Sequence, residues 1–271
     1  MSKMSQHTNT FRIPARIALS ILFSLLTGSK RDIRSDSLEL ASYLKPPAEI
    51  HGEKSARKTK GSVLIINHYS REGFPVWLTA ALVSAAVEYP IHWVMTSAWI
   101  YESYWKSLLI TPLSRLVFSR LANIYNLTAM PPMPPRQYEL LERAAAVRKL
   151  LIFARTNPEV NIGFAPEGRD PPEERRNNQT KEQHAPPDSR TALTDPPPGV
   201  GKLLAKFSAG GKKIIPVGVY EKSNRIFVHF GNPVEPVPAG LTRDQIDQYY
   251  LQTTMKELAA CLPNSMRGKY L

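Results

Sequence analysis

The residues best suited to chemistry in this sequence are a histidine that closes an apolar run, Ser62-Val63-Leu64-Ile65-Ile66-Asn67-His68, and a Glu-Gly-Arg sequence that closes a second one far along the chain, Asn161-Ile162-Gly163-Phe164-Ala165-Pro166-Glu167-Gly168-Arg169. An imidazole accepts and returns a proton near neutral pH, so His68 has the chemistry of a general base. Two strand-like runs that each end in polar, charge-bearing residues suggest one active site at the carboxyl edge of a sheet. The plain alternative is architectural. A strand-end histidine is often just a hydrogen-bonded residue, and Glu167 and Arg169 could serve to cap a loop.

The elements that must position these groups read as alternating strands and helices. Ser62 to Ile66 is a short, continuously apolar run of the kind that forms a strand buried on both faces, and Val160 to Phe164 reads as a second strand that ends at the Glu-Gly-Arg sequence. Further strands are expected at Ile91 to Met95, Lys213 to Val219 and Arg225 to Phe230, the last leaving through Gly231-Asn232-Pro233. Helices are expected at Phe74 to Val87, at Tyr104 to Leu121 with a break at Pro112, at Arg136 to Ala154 and at Lys202 to Ala209, which Gly210-Gly211 stops. Thr242 and Gln245 have the spacing of a capping box that opens a C-terminal helix. The pattern predicts an α/β fold with a largely parallel, mixed sheet flanked by helices and ligands outside the strands' carboxyl ends. His92, on an apolar strand, is expected in the core.

Composition narrows the class. At 271 residues and 42% apolar the chain is long enough to bury a sizeable core. One cysteine, Cys261, excludes an intrachain disulfide and fits a reducing compartment. It lies at helical spacing from Leu258 and is expected as buried filler. The net charge is +12, and the first sixty residues carry eleven Lys and Arg against five Asp and Glu. Within that basic region, Ile17 to Leu26 is mostly apolar, preceded by Arg12 and Arg16 and followed by Lys30, Arg31 and Arg34. As a helix it would span about 15 Å, roughly half of a bilayer's hydrocarbon thickness. A helix lying on an anionic membrane surface suits that length better than a span. Nucleic acid is not an expected partner, because the cations are not interleaved with aromatics on a binding motif. From Asp170 to Gly199 there are seven prolines and one large apolar residue, Leu193, too little to offset the entropy of ordering, so a mobile insertion is expected.

Three blocks, Asn67-His68-Tyr69-Ser70-Arg71-Glu72-Gly73, Phe164-Ala165-Pro166-Glu167-Gly168-Arg169 and Ile214-Ile215-Pro216-Val217-Gly218-Val219, together with Phe230-Gly231-Asn232-Pro233, resemble in order and spacing those of the glycerophospholipid acyltransferases, typified by 1-acylglycerol-3-phosphate acyltransferase. The resemblance covers roughly residues 60 to 235. It implies a glycerol-3-phosphate acyltransferase-like α/β domain over 61–271, and the charge and apolar pattern of 1–60 adds the expectation of a helical, membrane-associating region followed by a basic linker from His51 to Lys60. It also implies a reaction in phospholipid biosynthesis. His68 would act as general base on a glycerol hydroxyl that attacks an acyl thioester, Arg169 would contact the acceptor's phosphate, and Asn67, Glu167 and Gly168 would help to bind the substrate. The donor would be acyl-CoA or acyl carrier protein and the acceptor a glycerophosphate or lysophospholipid. No metal, no resident cofactor and no covalent enzyme intermediate are implied. The site would lie at the cytoplasmic face of a membrane, with the protein peripheral or monotopic.

The sequence departs from the family at three points. Gly73 stands where relatives carry the aspartate that orients the histidine, which leaves Glu72 as the nearby carboxylate. Arg169 follows Gly168 directly, without the intervening threonine. The stretch Ala122-Asn123-Ile124-Tyr125-Asn126-Leu127-Thr128 lacks the further phosphate-binding arginine that relatives place near there. These departures favour a second reading, a lipid-binding protein on the same scaffold with impaired turnover. A serine hydrolase reading lacks a Gly-x-Ser-x-Gly elbow.

Overall fold

Continuous apolar runs with no polar side to turn outward have to sit inside a sheet, and Val63–Ile66 (β2) and Asn161–Phe164 (β5) are buried at every position. A computed structural model describes residues 11–52, 54–70, 73–101, 103–132, 139–167 and 192–270. The other strands are Glu49–Gly52 (β1), Ile91–Thr96 (β3), Thr128–Met130 (β4), Ile214–Lys222 (β6) and Arg225–Phe230 (β7). They form one seven-stranded sheet in the order β1-β7-β6-β2-β5-β3-β4. Every neighbouring pair is parallel except the β6–β7 hairpin. The fold is α/β with a mostly parallel, mixed sheet, as the alternating pattern predicts.

The helices are Ala15–Thr27 (α1), Ile33–Ser42 (α2), Lys54–Arg57 (α3), Val76–Ala86 (α4), Tyr104–Ile124 (α5), Glu139–Thr156 (α6), Val200–Ala209 (α7) and Arg243–Ala260 (α8). The Thr242 hydroxyl accepts from the Gln245 N–H and the Gln245 side chain accepts from the Thr242 N–H, so the expected capping box opens α8. Cys261 is buried at the end of that helix, where burial pushes its thiol pKa up to about 12. His92 is in the core as expected, stacked on Phe153 and hydrogen-bonded to the Thr128 hydroxyl.

Three expectations are revised. α5 runs unbroken through Pro112, which lies on the exposed side and leaves the carbonyl of exposed Leu108 without its helical N–H partner. The stretch expected as a basic linker from His51 to Lys60 contains the end of β1 and all of α3. β1 joins the sheet beside β7, and Ile17, Leu40 and Leu44 belong to the same core as the strands, so the N-terminal region is packed onto the α/β body. The segment expected to be loose from 170 to 199 is fixed at its far end. Leu193 is buried, and its N–H donates to the Met266 carbonyl. Residues 170–191 lie outside the described part.

Candidate active site

β2 and β5 are adjacent and parallel, with Val63 opposite Ile162 and Ile65 opposite Phe164, so both motifs emerge side by side at the carboxyl edge. The contact that results is direct. The backbone N–H of His68 donates to Glu167 Oε1 at 3.2 Å. Glu167 is buried at 4% exposure, and its Oε2 accepts from the backbone N–H of Thr194 at 2.9 Å and from the Thr194 hydroxyl at 3.0 Å. One carboxylate thus ties together the ends of two strands and the segment that precedes α7. Charge-assisted bonds of this kind compensate for burying a carboxylate.

Asn67 has a comparable task. Its Nδ2 donates to the Val219 carbonyl at 2.9 Å and its Oδ1 accepts the Val219 N–H at 2.7 Å, both within the buried interior. The side-chain amide continues the β2–β6 ladder past the last residue of β2. Tyr69, the next residue after the histidine, donates its hydroxyl to Glu221 Oε2 at 3.1 Å and meets Phe74 edge-on. The backbone around His68 is therefore held by β5, by β6 and by the 192–194 segment.

The imidazole itself is half-buried. Its Nδ1 is shut off from solvent and has no hydrogen-bond partner among the described residues. That atom is where an orienting carboxylate would sit in a His-carboxylate pair. Glu72, the residue expected there, lies outside the described residues, as do Gly168 and Arg169. Gly73, in place of the family's aspartate, adopts φ +73°, a left-handed turn that glycine enters without cost. Its carbonyl accepts from the N–H of Phe11 at 2.9 Å, and the Phe11 ring packs on Trp77. The chain ahead of α1 therefore reaches the turn that follows the histidine.

No family model matches the chain, and no curated protein is significantly similar to it. The likeness to the glycerophospholipid acyltransferases therefore rests on the three sequence blocks alone.

Thr194, Tyr69 and Glu221 are contributors that sequence reasoning passed over. Thr194 sits in a stretch whose proline and charge content hides its role, and Glu221 looks like an ordinary polar residue at a strand end. Only the register of β6 against β2 brings Glu221 to Tyr69. A supporting layer lies behind Thr194. Asp195 accepts from the Tyr270 hydroxyl at 3.0 Å and pairs with Lys269, whose ammonium holds the Asp195 carboxyl below the usual carboxylate range. Burial and the bond to Asp195 push the Tyr270 phenol upward.

Proposed function

We infer that this protein is an acyltransferase that moves a fatty acyl group from an acyl thioester, acyl-CoA or acyl carrier protein, to a hydroxyl of a glycerophosphate or lysophospholipid. The observation that carries the reading is the meeting of the two motif-bearing strand ends, with His68 bonded through its backbone to Glu167. In the proposed reaction the imidazole takes the proton of the acceptor hydroxyl as its oxygen attacks the thioester carbonyl. The carbon–sulfur bond breaks, and the departing thiolate recovers the proton from the imidazolium. Glu72 would fix the tautomer through Nδ1, and Arg169 would bind the acceptor's phosphate in bidentate fashion. Ester formation from a thioester needs no further energy source, so the protein's contribution is positioning and proton transfer.

Membrane association belongs to the same reading, with α1 lying on the cytoplasmic, anionic surface. No described helix is long and apolar enough to cross a bilayer.

The test is product formation from labelled acyl-CoA, and separately acyl carrier protein, with lysophosphatidic acid as acceptor. His68→Ala should abolish ester formation. Glu72→Gln should lower kcat by about 100-fold or more while leaving KM near its original value, within the range typical of general base contributions. A His68→Ala protein that still forms product would reject the mechanism. Gly73 favours one alternative, a scaffold that binds lipid with little turnover. Lipid binding without His68-dependent product would establish it.

A further inference from the structure

The charges expected to hold α1 on a membrane are partly engaged inside the protein. Arg31 makes a bidentate pair with Asp36 at 2.7 Å for each bond, and Arg34 donates to the Val87 carbonyl at 2.9 Å. Lys30 donates to the carbonyl and side-chain oxygens of Asn123 at the end of α5. Among the described residues, the cations flanking α1 that stand exposed without such a bond are Arg12 and Arg16, at the end nearer the candidate site.

Those inward contacts have another effect, because they lock α1 to α5. Arg31 N–H donates to the Ile124 carbonyl and Arg120 to the Leu25 carbonyl, so the two helices end together. They also begin at the same edge. α5 follows β3 at the sheet's carboxyl end, and the residues before α1 are fastened to Gly73 and Trp77 there. α1 leaves Leu19, Phe23 and Leu26 exposed, spaced as one helical stripe. α5 does so more heavily: Tyr104 is 72% exposed, Trp105 69%, Leu109 66% and Leu113 59%. Trp105, Leu109 and Leu113 recur every fourth residue, a second stripe. Side chains of this size, exposed along each of two helices that touch, exceed what a water-facing surface ordinarily carries.

We propose that α1 and α5 form a single two-helix platform that lies in the interfacial layer of an anionic lipid bilayer, with α5 as its larger part. Charge decides for lipid among possible occupants. Neither helix contains an Asp or Glu, and α5 adds Lys106 to Arg12 and Arg16, while Arg115 pairs with Glu139 and Arg120 bonds the Leu25 carbonyl. Tyr104 and Trp105 at one end have the amphipathic rings that prefer the headgroup level. Pro112 sets the depth: the backbone carbonyl it leaves unpaired tolerates the hydrated interface and not the hydrocarbon centre. Because both helices start at the carboxyl edge, the platform turns the His68 opening toward the membrane, and a lipid acceptor enters sideways from the bilayer. That last step rests on the acyltransferase reading, while the docking does not.

The experiment is co-sedimentation of the full chain with phosphatidylcholine vesicles, with and without phosphatidylglycerol. Trp105→Glu/Leu109→Glu on α5 and Leu19→Glu/Phe23→Glu on α1 are compared after melting curves show both folded. Each pair should lower partitioning roughly tenfold or more, the effect of removing large apolar side chains from the interface. Lys106→Glu should weaken only the component that depends on phosphatidylglycerol. An α5 pair that binds like the unaltered protein overturns the proposal. So does a lipid-free dimer that the α5 pair converts to monomer without any vesicle binding. Vesicle binding with no His68-dependent turnover leaves the platform intact and rejects the acyltransferase reading alone. Full turnover on vesicle-embedded lysolipid by the non-binding α5 pair rejects lateral entry.

Discussion

Glu167 shows how one buried carboxylate can order the surroundings of a histidine through backbone bonds. Its two oxygens accept three hydrogen bonds, one from the backbone of His68 and two from Thr194. Glu167→Gln keeps the shape but replaces an acceptor with an amide that itself donates, so at least one N–H loses its partner in a buried setting. The expected cost is about 2 kcal/mol of stability. Because the lost bond positions His68, kcat should fall together with the melting temperature. A direct role in substrate binding would show differently, as a raised KM at an unchanged melting temperature, and the two readouts separate positioning from contact.

At the scale of elements, legibility in the sequence followed burial. β2 and β5 could be read because their apolar runs have no polar alternation, the mark of strands covered on both faces. β1 could not. Three of its four residues are exposed, and it is held by its backbone ladder to β7 and by the Arg225–Glu49 pair, neither of which leaves a local pattern. β4, at three residues, is equally silent. The site divided in the same way. His68 and Glu167 could be placed together because the parallel pairing of two central strands was predictable. The tasks of Asn67 and Tyr69 depend on partners in β6 that only the register supplies. Gly163 carries a further element-scale consequence. A methyl group there would lie 2.5 Å from the Trp93 ring, which cannot withdraw because it is buried and its Nε1 donates to Ser84 at 2.8 Å. Gly163→Ala should therefore destabilise by about 2 kcal/mol through overpacking, measurable by denaturant titration. An unchanged midpoint would mean that β3 and β5 can separate slightly without loss.

For the whole molecule, the sheet's dependence on a neutral buried imidazole sets its acid tolerance. His92 is 6% exposed, stacked on Phe153 and bonded through Nε2 to Thr128, and burial, with a smaller effect from Lys149, lowers its pKa from 6.5 to about 4. The unfolded chain then binds the proton more readily than the folded one, so stability falls as pH drops below about 6.5 and the loss levels off below about 4. Linkage across that shift gives a loss of about 2 kcal/mol between pH 7 and pH 5. Carboxylates held below their ordinary values, among them Asp32 through its bond to Ser35, act in a separate window, losing their contribution only as pH falls through 3.8 and lower. Urea titrations at pH 7, 6 and 5 should therefore show a steep decline in the unaltered protein and a much flatter one in His92→Gln, whatever stability that variant has at pH 7. Parallel declines in the two proteins would mean that the proton is taken up elsewhere, and that β3 and β4 tolerate a charged imidazole between them.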